Sequence, residues 1–177
     1  MKIFVIKSSP HRNGSSNLLA DNFIQGAQDA DHEVVVFDAG HADIKPCTGC
    51  SVCGMDGPCI QHDNMMQVHK ILLESDMVVF VTPLYYYGFS SQMKMVIDRF
   101  YSVNTKLAAK HMKSALIVSA WDSLDWVFND IKSHYMTICN FLKFENVGII
   151  LGAGCGTLAK TTATTFPQKA YDFGKSL

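Results

Sequence analysis

Five short apolar runs, separated by stretches with helical periodicity, constrain the fold of this chain most. The central run, Met77–Val81, is apolar throughout, as is typical of a strand covered on both faces. The intervening stretches carry apolar residues at helical spacing. Strands that alternate with helices predict an α/β fold in which helices cover both faces of a parallel sheet. The five runs are Lys2–Lys7, His32–Asp38, Met77–Val81, Ser114–Val118 and Asn146–Leu151.

This alternation predicts three layers around a doubly wound five-stranded sheet with strand order 2-1-3-4-5. A chain of 177 residues is long enough for one domain with a sizeable core. Hydrophobic residues make up 48% of the chain and charged residues 18%, which indicates a soluble globular protein. No repeat, linker or change of composition divides the sequence, so we expect a single domain over residues 1–177.

Charge and hydropathy exclude several classes of partner. The net charge is −1 and there is no basic run, which argues against a nucleic acid partner. No apolar stretch reaches the length of a membrane span, and the first residues do not form a signal peptide. We therefore expect a cytoplasmic protein with no membrane partner.

Three loops should converge at one edge of the predicted sheet, because ligands of doubly wound folds bind outside the carboxyl ends of the strands. Ser8–Asn17 combines hydroxyls, amides and an arginine before a helix, which suits a phosphate. Taken alone, this loop is equally typical of a helix cap without a ligand. Thr82–Gly88 contains three tyrosines, and Ser119–Asp122 contains a tryptophan. Phosphate donors beside flat aromatic surfaces predict a mononucleotide with a planar ring.

A second candidate site lies in the cysteine-rich loop at 40–62. Four of the six cysteines follow the pattern Cys47-x2-Cys50-x2-Cys53-x5-Cys59. Structural disulfides are rare in the cytoplasm, so this cluster needs another explanation. Four thiolates at this spacing can hold a 4Fe-4S cluster or a structural zinc ion. Free thiols that help to cover a ligand are the third possibility, and the residues alone leave all three open.

Several motifs, in conserved order along residues 2–152, resemble the flavodoxin-like NADPH-dependent FMN reductase family, and most closely its iron–sulfur flavoprotein subgroup. This resemblance implies a flavodoxin-like fold that binds FMN. It also implies a homodimer or tetramer with each flavin near a subunit boundary. The motifs are Ser8–Ser16, Pro46–Cys50, Asp63–Met65, Pro83–Gly88, Gln92–Lys94 and Ile97–Arg99.

The resemblance also assigns residues to the cofactors. The FMN phosphate would lie on the polar loop and helix start, namely Ser9, His11, Arg12, Asn13, Ser15, Ser16 and Asn17. The isoalloxazine ring would lie against the two aromatic loops, namely Pro83, Leu84, Tyr85, Tyr86, Tyr87, Gly88, Ser119, Ala120 and Trp121. A 4Fe-4S cluster would be held by Cys47, Cys50, Cys53 and Cys59. One position departs from the family, because His11 stands where arginine is frequent.

Three functions follow as hypotheses. The first is an FMN-dependent NAD(P)H oxidoreductase that reduces a small quinone, flavin, nitro or azo acceptor, with the chemistry carried by the flavin and no catalytic side chain. The second is an electron-transfer protein that links a 4Fe-4S cluster and FMN to a ferredoxin-like redox partner. The third is a binding module that senses metal or redox state. No Gly-x-Gly-x-x-Gly fingerprint marks a separate dinucleotide site.

Overall fold

A computed structural model describes residues 1–177 and contains one five-stranded sheet. Every neighbouring pair of strands is parallel, and the order is β2-β1-β3-β4-β5. The predicted fold class and strand order are therefore confirmed. The strands are β1 (Lys2–Lys7), β2 (Glu33–Asp38), β3 (Met77–Pro83), β4 (Lys113–Ser119) and β5 (Glu145–Gly152).

Seven α-helices connect and cover the strands. Two 3₁₀ turns, Arg99–Val103 and Asp125–Phe128, precede α4 and α5 respectively. The helices are α1 (Ser15–Asp29), α2 (Met65–Glu74), α3 (Ser91–Asp98), α4 (Asn104–Lys110), α5 (Asn129–Leu142), α6 (Leu158–Thr162) and α7 (Phe166–Lys175). None of these helices combines the length and the apolar character that crossing a bilayer requires.

The alternation of side chains along each strand produces two separate cores. In β1, Ile3 and Val5 pack with α1 and α7 on one face of the sheet, whereas Phe4 and Ile6 pack with α2 to α5 on the other. Every residue of β3 is buried, as expected for a central strand covered on both faces. The two helical layers with the sheet between them make the three-layer architecture.

Two boundaries differ from the sequence prediction in ways that affect the site. Helix α1 begins at Ser15, so the side chains of Ser15, Ser16 and Asn17 belong to its first turn and not to the preceding loop. After β3, the helical periodicity of the sequence continues to Phe100, but α3 ends at Asp98 and a 3₁₀ turn starts at Arg99. The loop between β2 and α2 contains no regular secondary structure before Met65.

Candidate functional site

A cavity of about 460 Å³ opens at the carboxyl ends of the strands, where the sequence predicts a mononucleotide. It brings together residues from all three predicted loops. It is lined by the predicted residues Ser9, His11, Asn13, Ser15, Ser16, Pro83, Leu84, Tyr85, Ser119 and Trp121, together with Gly14, Cys155, Gly156, Thr157 and Leu158. The volume is within the range of roughly 300–1,000 Å³ that is usual for small-molecule sites.

The polar end of this cavity is the start of α1. The hydroxyl oxygens of Ser15 and Ser16 are buried there and have no hydrogen-bond partner. The N-cap residue, Gly14, offers no side-chain acceptor to the helix. The first N–H groups of a helix also lack partners within it, and the helix dipole places partial positive charge at that end. The cavity therefore presents several unused donors together, which suits an anion such as phosphate.

Two predicted phosphate ligands do not line the cavity. Arg12 is exposed, and its Nη1 lies 3.7 Å from Oδ2 of Asp38. Asn17 donates from Nδ2 to the carbonyl oxygens of His11 and Arg12, at 3.0 Å each, and so holds the loop in shape. His11 is consequently the one predicted basic side chain that lines this cavity.

A buried hydrogen-bond chain fixes the two main loops relative to each other. Ser90 Oγ lies 2.9 Å from Ser8 Oγ, and Ser8 Oγ donates to the carbonyl of Val81 at 3.0 Å. Ser90 N donates to Thr82 Oγ1, and Ser90 Oγ accepts from Met93 N as the N-cap of α3. The ends of β1 and β3 are thus tied to the start of α3. Sequence reasoning missed this role of Ser90, because it depends on the pairing of distant strands.

The tyrosine loop forms a tight turn beside the cavity. Tyr85 and Gly88 pair across the turn, and Tyr86 and Tyr87 occupy left-handed backbone conformations, with φ of 45° and 64°. The side chain of Tyr86 is fully exposed, and the ring of Tyr87 lies 5.2 Å from that of Trp126. Tyr86, Tyr87 and Ala120 line a depression of about 270 Å³ that shares Leu84 and Trp121 with the cavity. Four predicted ring contacts are therefore not in the cavity lining: Tyr86, Tyr87 and Ala120 line the depression beside it, and Gly88 lines neither space.

The segment after β5 forms a wall of the cavity that the sequence analysis did not predict. A Cβ at Gly156 would lie only 2.5 Å from the indole ring of Trp121, so this glycine permits close approach of the ring. Lys160 Nζ lies 5.1 Å from the centre of the same ring. The rule that selects loops at the carboxyl ends of strands applies equally to β5, and could have identified this Gly-rich turn.

The four clustered cysteines line a second cavity, of about 390 Å³. Asp98 and Tyr101 contribute to the same cavity from the end of α3 and the 3₁₀ turn. All four cysteines are free, and no three metal-binding side chains are gathered into a coordination site. The loop turns sharply, since Ser51 and Met55 have φ of 60° and 74°. The four cysteines thus line one cavity but are not arranged as a metal-coordination site.

A buried ion pair lies where the two ends of this loop come together. The side chains of Arg99 and Asp63 are 2% and 1% exposed and hydrogen bond to each other. Burial alone would raise the pKa of Asp63, but hydrogen bonds from Arg99 and from the backbone of Lys45 and Met65 hold that pKa below its usual value. The pKa of Arg99 is raised, because the hydrogen bond and charge of Asp63 outweigh burial.

A profile of the family described as NADPH-dependent FMN reductase matches residues 1–144. The chain belongs to the NADPH-dependent FMN reductase family. An iron–sulfur flavoprotein of Archaeoglobus fulgidus is 33% identical over 99 residues, which are 56% of this chain and 45% of that protein. The chain spans about half the length of the curated relatives it matches.

Solved structures of the same fold include an NAD(P)H:quinone oxidoreductase from Methanothermobacter marburgensis. It has a TM-score of 0.80 and 16% identity, over 99% of this chain and 95% of that one. An azoreductase from Bacillus anthracis str. Sterne has a TM-score of 0.68 and 16% identity over 100% of both chains. These likenesses establish the flavodoxin-like fold. The family assignment confirms the predicted resemblance.

The residues of this chain fit both of the predicted groups, FMN and a 4Fe-4S cluster. The unpartnered Ser15 and Ser16 hydroxyls and the start of α1 fit the phosphate of FMN. Pro83, Leu84, Tyr85 and Trp121 line the other side of the same cavity and offer apolar surface to a planar ring. Four thiols around one cavity have the donor chemistry of a Cys₄ centre, which suits a 4Fe-4S cluster.

Proposed function

We propose that this protein is an FMN-dependent NAD(P)H oxidoreductase that reduces a small acceptor of the quinone, flavin, nitro or azo class. The observation that carries the proposal is the pair of buried, unpartnered serine hydroxyls at the start of α1, which faces a cavity with apolar walls. A buried hydroxyl without a partner costs about 1–3 kcal/mol, so a ligand that supplies the partner accounts for its presence.

The protein's part in this reaction is to bind, orient and cover. FMN, when bound, would accept hydride from the nicotinamide and deliver reducing equivalents to the acceptor. Ser9, Ser15 and Ser16 would bind the phosphate, and the chain Ser8–Ser90–Thr82 keeps the polar and aromatic loops at a fixed separation. No carboxylate lines the cavity. We expect the flavin to carry the chemistry, while the side chains of the cavity position the reactants.

The depression beside the cavity is the proposed place of the flat acceptor. Tyr86 and Tyr87 expose aromatic surface there, next to Trp121. The depression shares Leu84 and Trp121 with the cavity, so a planar molecule bound there would lie next to the flavin. Because no separate dinucleotide fingerprint is present, we expect the nicotinamide to bind transiently at the same opening.

A second candidate function is electron transfer through the cysteine loop. The observation that favours it is the common cavity of Cys47, Cys50, Cys53 and Cys59. Curated relatives are named iron–sulfur flavoproteins. In this function a 4Fe-4S cluster on the four cysteines would exchange electrons with FMN and with a ferredoxin-like redox partner. A reducing compartment such as the cytoplasm would keep these thiols available.

The test begins with protein purified without air. Its visible spectrum, its FMN content and its iron and sulfide content are measured on one sample, followed by NADH and NADPH oxidation with a quinone. We expect bound or reconstitutable FMN and acceptor-dependent oxidation of the nicotinamide. A colourless protein that cannot be reconstituted with FMN would overturn both redox functions. If that protein contained zinc, the result would favour a sensing module.

Ser16→Ala is the matched variant for the flavin site. Loss of a hydrogen bond to a charged group should raise the Kd for FMN about 10- to 100-fold. The free energy of unfolding of the FMN-free protein should not fall, because the hydroxyl makes no hydrogen bond there. Ser133→Ala, at an exposed serine of α5, is the control and should leave the Kd unchanged. An unchanged Kd in Ser16→Ala would contradict the assigned phosphate site.

A further inference from the structure

Arg99 is the buried residue that contacts the cysteine loop at both ends. Its Nη1 donates to the carbonyl of Lys45 at 3.2 Å, and its Nη2 donates to the carbonyl of Gln61 at 3.3 Å. Lys45 lies two residues before Cys47, and Gln61 lies two residues after Cys59. One guanidinium therefore joins the two ends of the segment that carries all four thiols.

The same guanidinium also contacts one of the thiols directly. Nη2 of Arg99 lies 3.4 Å from Sγ of Cys59. Asp63 holds Arg99 from the other side and accepts hydrogen bonds from Lys45 N and Met65 N, each at 3.0 Å. The position of Arg99 is thus fixed by the start of α2 and by its own 3₁₀ turn, and not by the cysteine loop alone.

The positive charge of Arg99 suits a centre made of thiolates. Four thiolates around a metal or cluster carry net negative charge, and hydrogen bonds to their sulfurs help to set cluster potentials. Residues that hydrogen bond to metal ligands orient those ligands, and their mutation typically lowers metal affinity about 10- to 100-fold. An arginine fork can serve several acceptors in one plane, which a lysine ammonium cannot.

We propose that Arg99 is the positioning residue of a Cys₄ centre on Cys47, Cys50, Cys53 and Cys59. Its guanidinium holds the two ends of the loop and the Cys59 sulfur, so that the four thiols face one cavity, and its charge offsets that of the thiolates. The inference rests on the cysteine centre of the second proposed function. It does not depend on the flavin.

The experiment compares the full chain with three variants. Each protein is reconstituted without air with iron and sulfide, and the FMN-free, iron-free protein is titrated separately with Co²⁺ as a spectroscopic probe of thiolate ligation. Arg99→Lys keeps the charge and removes the fork. Arg99→Met with Asp63→Asn removes the ion pair without leaving a buried charge unpaired. Lys106→Met is the control, because Lys106 also hydrogen bonds to this loop, at Asp56, but contacts no thiol.

We expect the wild-type protein and Lys106→Met to hold the same iron and sulfide per chain. In Arg99→Lys, retention of iron against a chelator and affinity for Co²⁺ should fall about 10- to 100-fold. The double variant should lose more, and any cluster it keeps should have a lower midpoint potential, because the hydrogen bond and charge at Cys59 are gone. Circular dichroism and FMN content identify a variant that has failed to fold.

Two results would overturn the inference. One is wild-type protein that takes up neither the cluster nor Co²⁺ at the four cysteines. The other is a pair of folded Arg99 variants with unchanged iron retention, Co²⁺ affinity and potential. Protein that holds metal in an Arg99-dependent way but binds no FMN would support this inference while removing the proposed FMN-dependent activity.

Discussion

The end of the main cavity formed by the start of α1, where we propose that the FMN phosphate binds, is rich in hydrogen-bond donors and poor in positive charge. Ser15 and Ser16 supply hydroxyls, but Arg12 points toward Asp38 and does not line the cavity. Among the side chains that line the cavity, His11 is the one that can carry a positive charge. Because a guanidinium carries a permanent charge and can bind a phosphate through two parallel hydrogen bonds, an arginine at this position should hold FMN more tightly than histidine does.

His11→Arg should tighten FMN binding. In the variant, a permanent charge next to the phosphate should lower the Kd about tenfold. Fluorescence titration with FMN measures the change in Kd. Arg12→Gln is the control and should change the Kd little; equal Kd values for wild type and His11→Arg would refute the role of His11.

At the scale of secondary-structure elements, the tyrosine turn combines backbone strain with exposed aromatic surface. Left-handed conformations cost roughly 1–2 kcal/mol for most residues and much less for asparagine or glycine. Tyr86 and Tyr87 both adopt such conformations, although Asn-Gly is the usual sequence of such turns. Strain of this kind often persists at functional sites, which agrees with the proposal that these two side chains bind the acceptor.

Tyr86→Asn should therefore stabilise the protein and weaken catalysis. Because the side chain of Tyr86 is fully exposed, its removal loses no packing, and relief of strain should raise the free energy of unfolding by about 1 kcal/mol. The KM for a planar quinone should rise. Chemical denaturation of dilute protein and steady-state kinetics measure the two effects. Tyr87→Asn should gain less stability, since Tyr87 packs on Trp126; a less stable Tyr86→Asn would contradict the account of strain.

Helix α2 is joined to the 3₁₀ turn after α3 by a buried histidine. His69 Nε2 lies 2.9 Å from the carbonyl oxygen of Arg99 and 3.2 Å from Ser102 Oγ. Burial lowers the pKa of His69, and the charge of Arg99 lowers it further, against the opposing effects of the hydrogen bond and Asp63. The folded protein therefore binds a proton at this position less readily than the unfolded chain does.

This shift predicts that stability falls as the pH drops below about 6.5, the ordinary histidine value in the unfolded chain. Between the folded and unfolded pKa values the unfolded chain holds more protons, so acid favours unfolding, by at most about 1.4 kcal/mol per pH unit from this one group. In His69→Gln, which keeps a donor for Arg99, the loss between pH 7 and pH 5 should be smaller. Urea denaturation at both pH values measures it. The exposed His62→Gln should behave as wild type, and an equally steep loss in His69→Gln would contradict the prediction.

The elements also show why some features were predictable from the sequence and others were not. Strand β1 begins and ends at the predicted residues, because its apolar run is bounded by lysines at both ends. The interruption at Arg99 was not predictable from periodicity, since it follows from contacts with Asp63 and the cysteine loop. Ser90 and Gly156 act through partners more than thirty residues away. Local patterns specify the elements, whereas these long-range contacts shape the site.

On the scale of the whole molecule, large apolar side chains are exposed on the tyrosine loop and on the segment from Trp121 to Trp126. They are Tyr86, Tyr87, Trp121, Leu124 and Trp126, each more than 40% exposed. A second apolar groove lies between α5 and the end of α3, where Phe141 of α5 is 64% exposed. Aromatic residues concentrated on one face are typical of a binding surface. Because they adjoin the cavity, a second copy of the chain on this face would also cover the flavin.

We therefore expect a homodimer at micromolar concentration, or a tetramer built from such dimers, with this aromatic face at the subunit boundary. Trp126→Glu places a charge within the apolar face and should raise the dimer dissociation constant about 30-fold, as loss of a binding hot spot does. FMN affinity should fall with it, since the monomer leaves the cavity open. Sedimentation equilibrium with and without FMN measures both. Phe141→Glu is the comparison variant on the other groove. If Phe141→Glu dissociates the oligomer while Trp126→Glu does not, the subunit boundary lies on α5. A wild-type protein that is monomeric would exclude both faces.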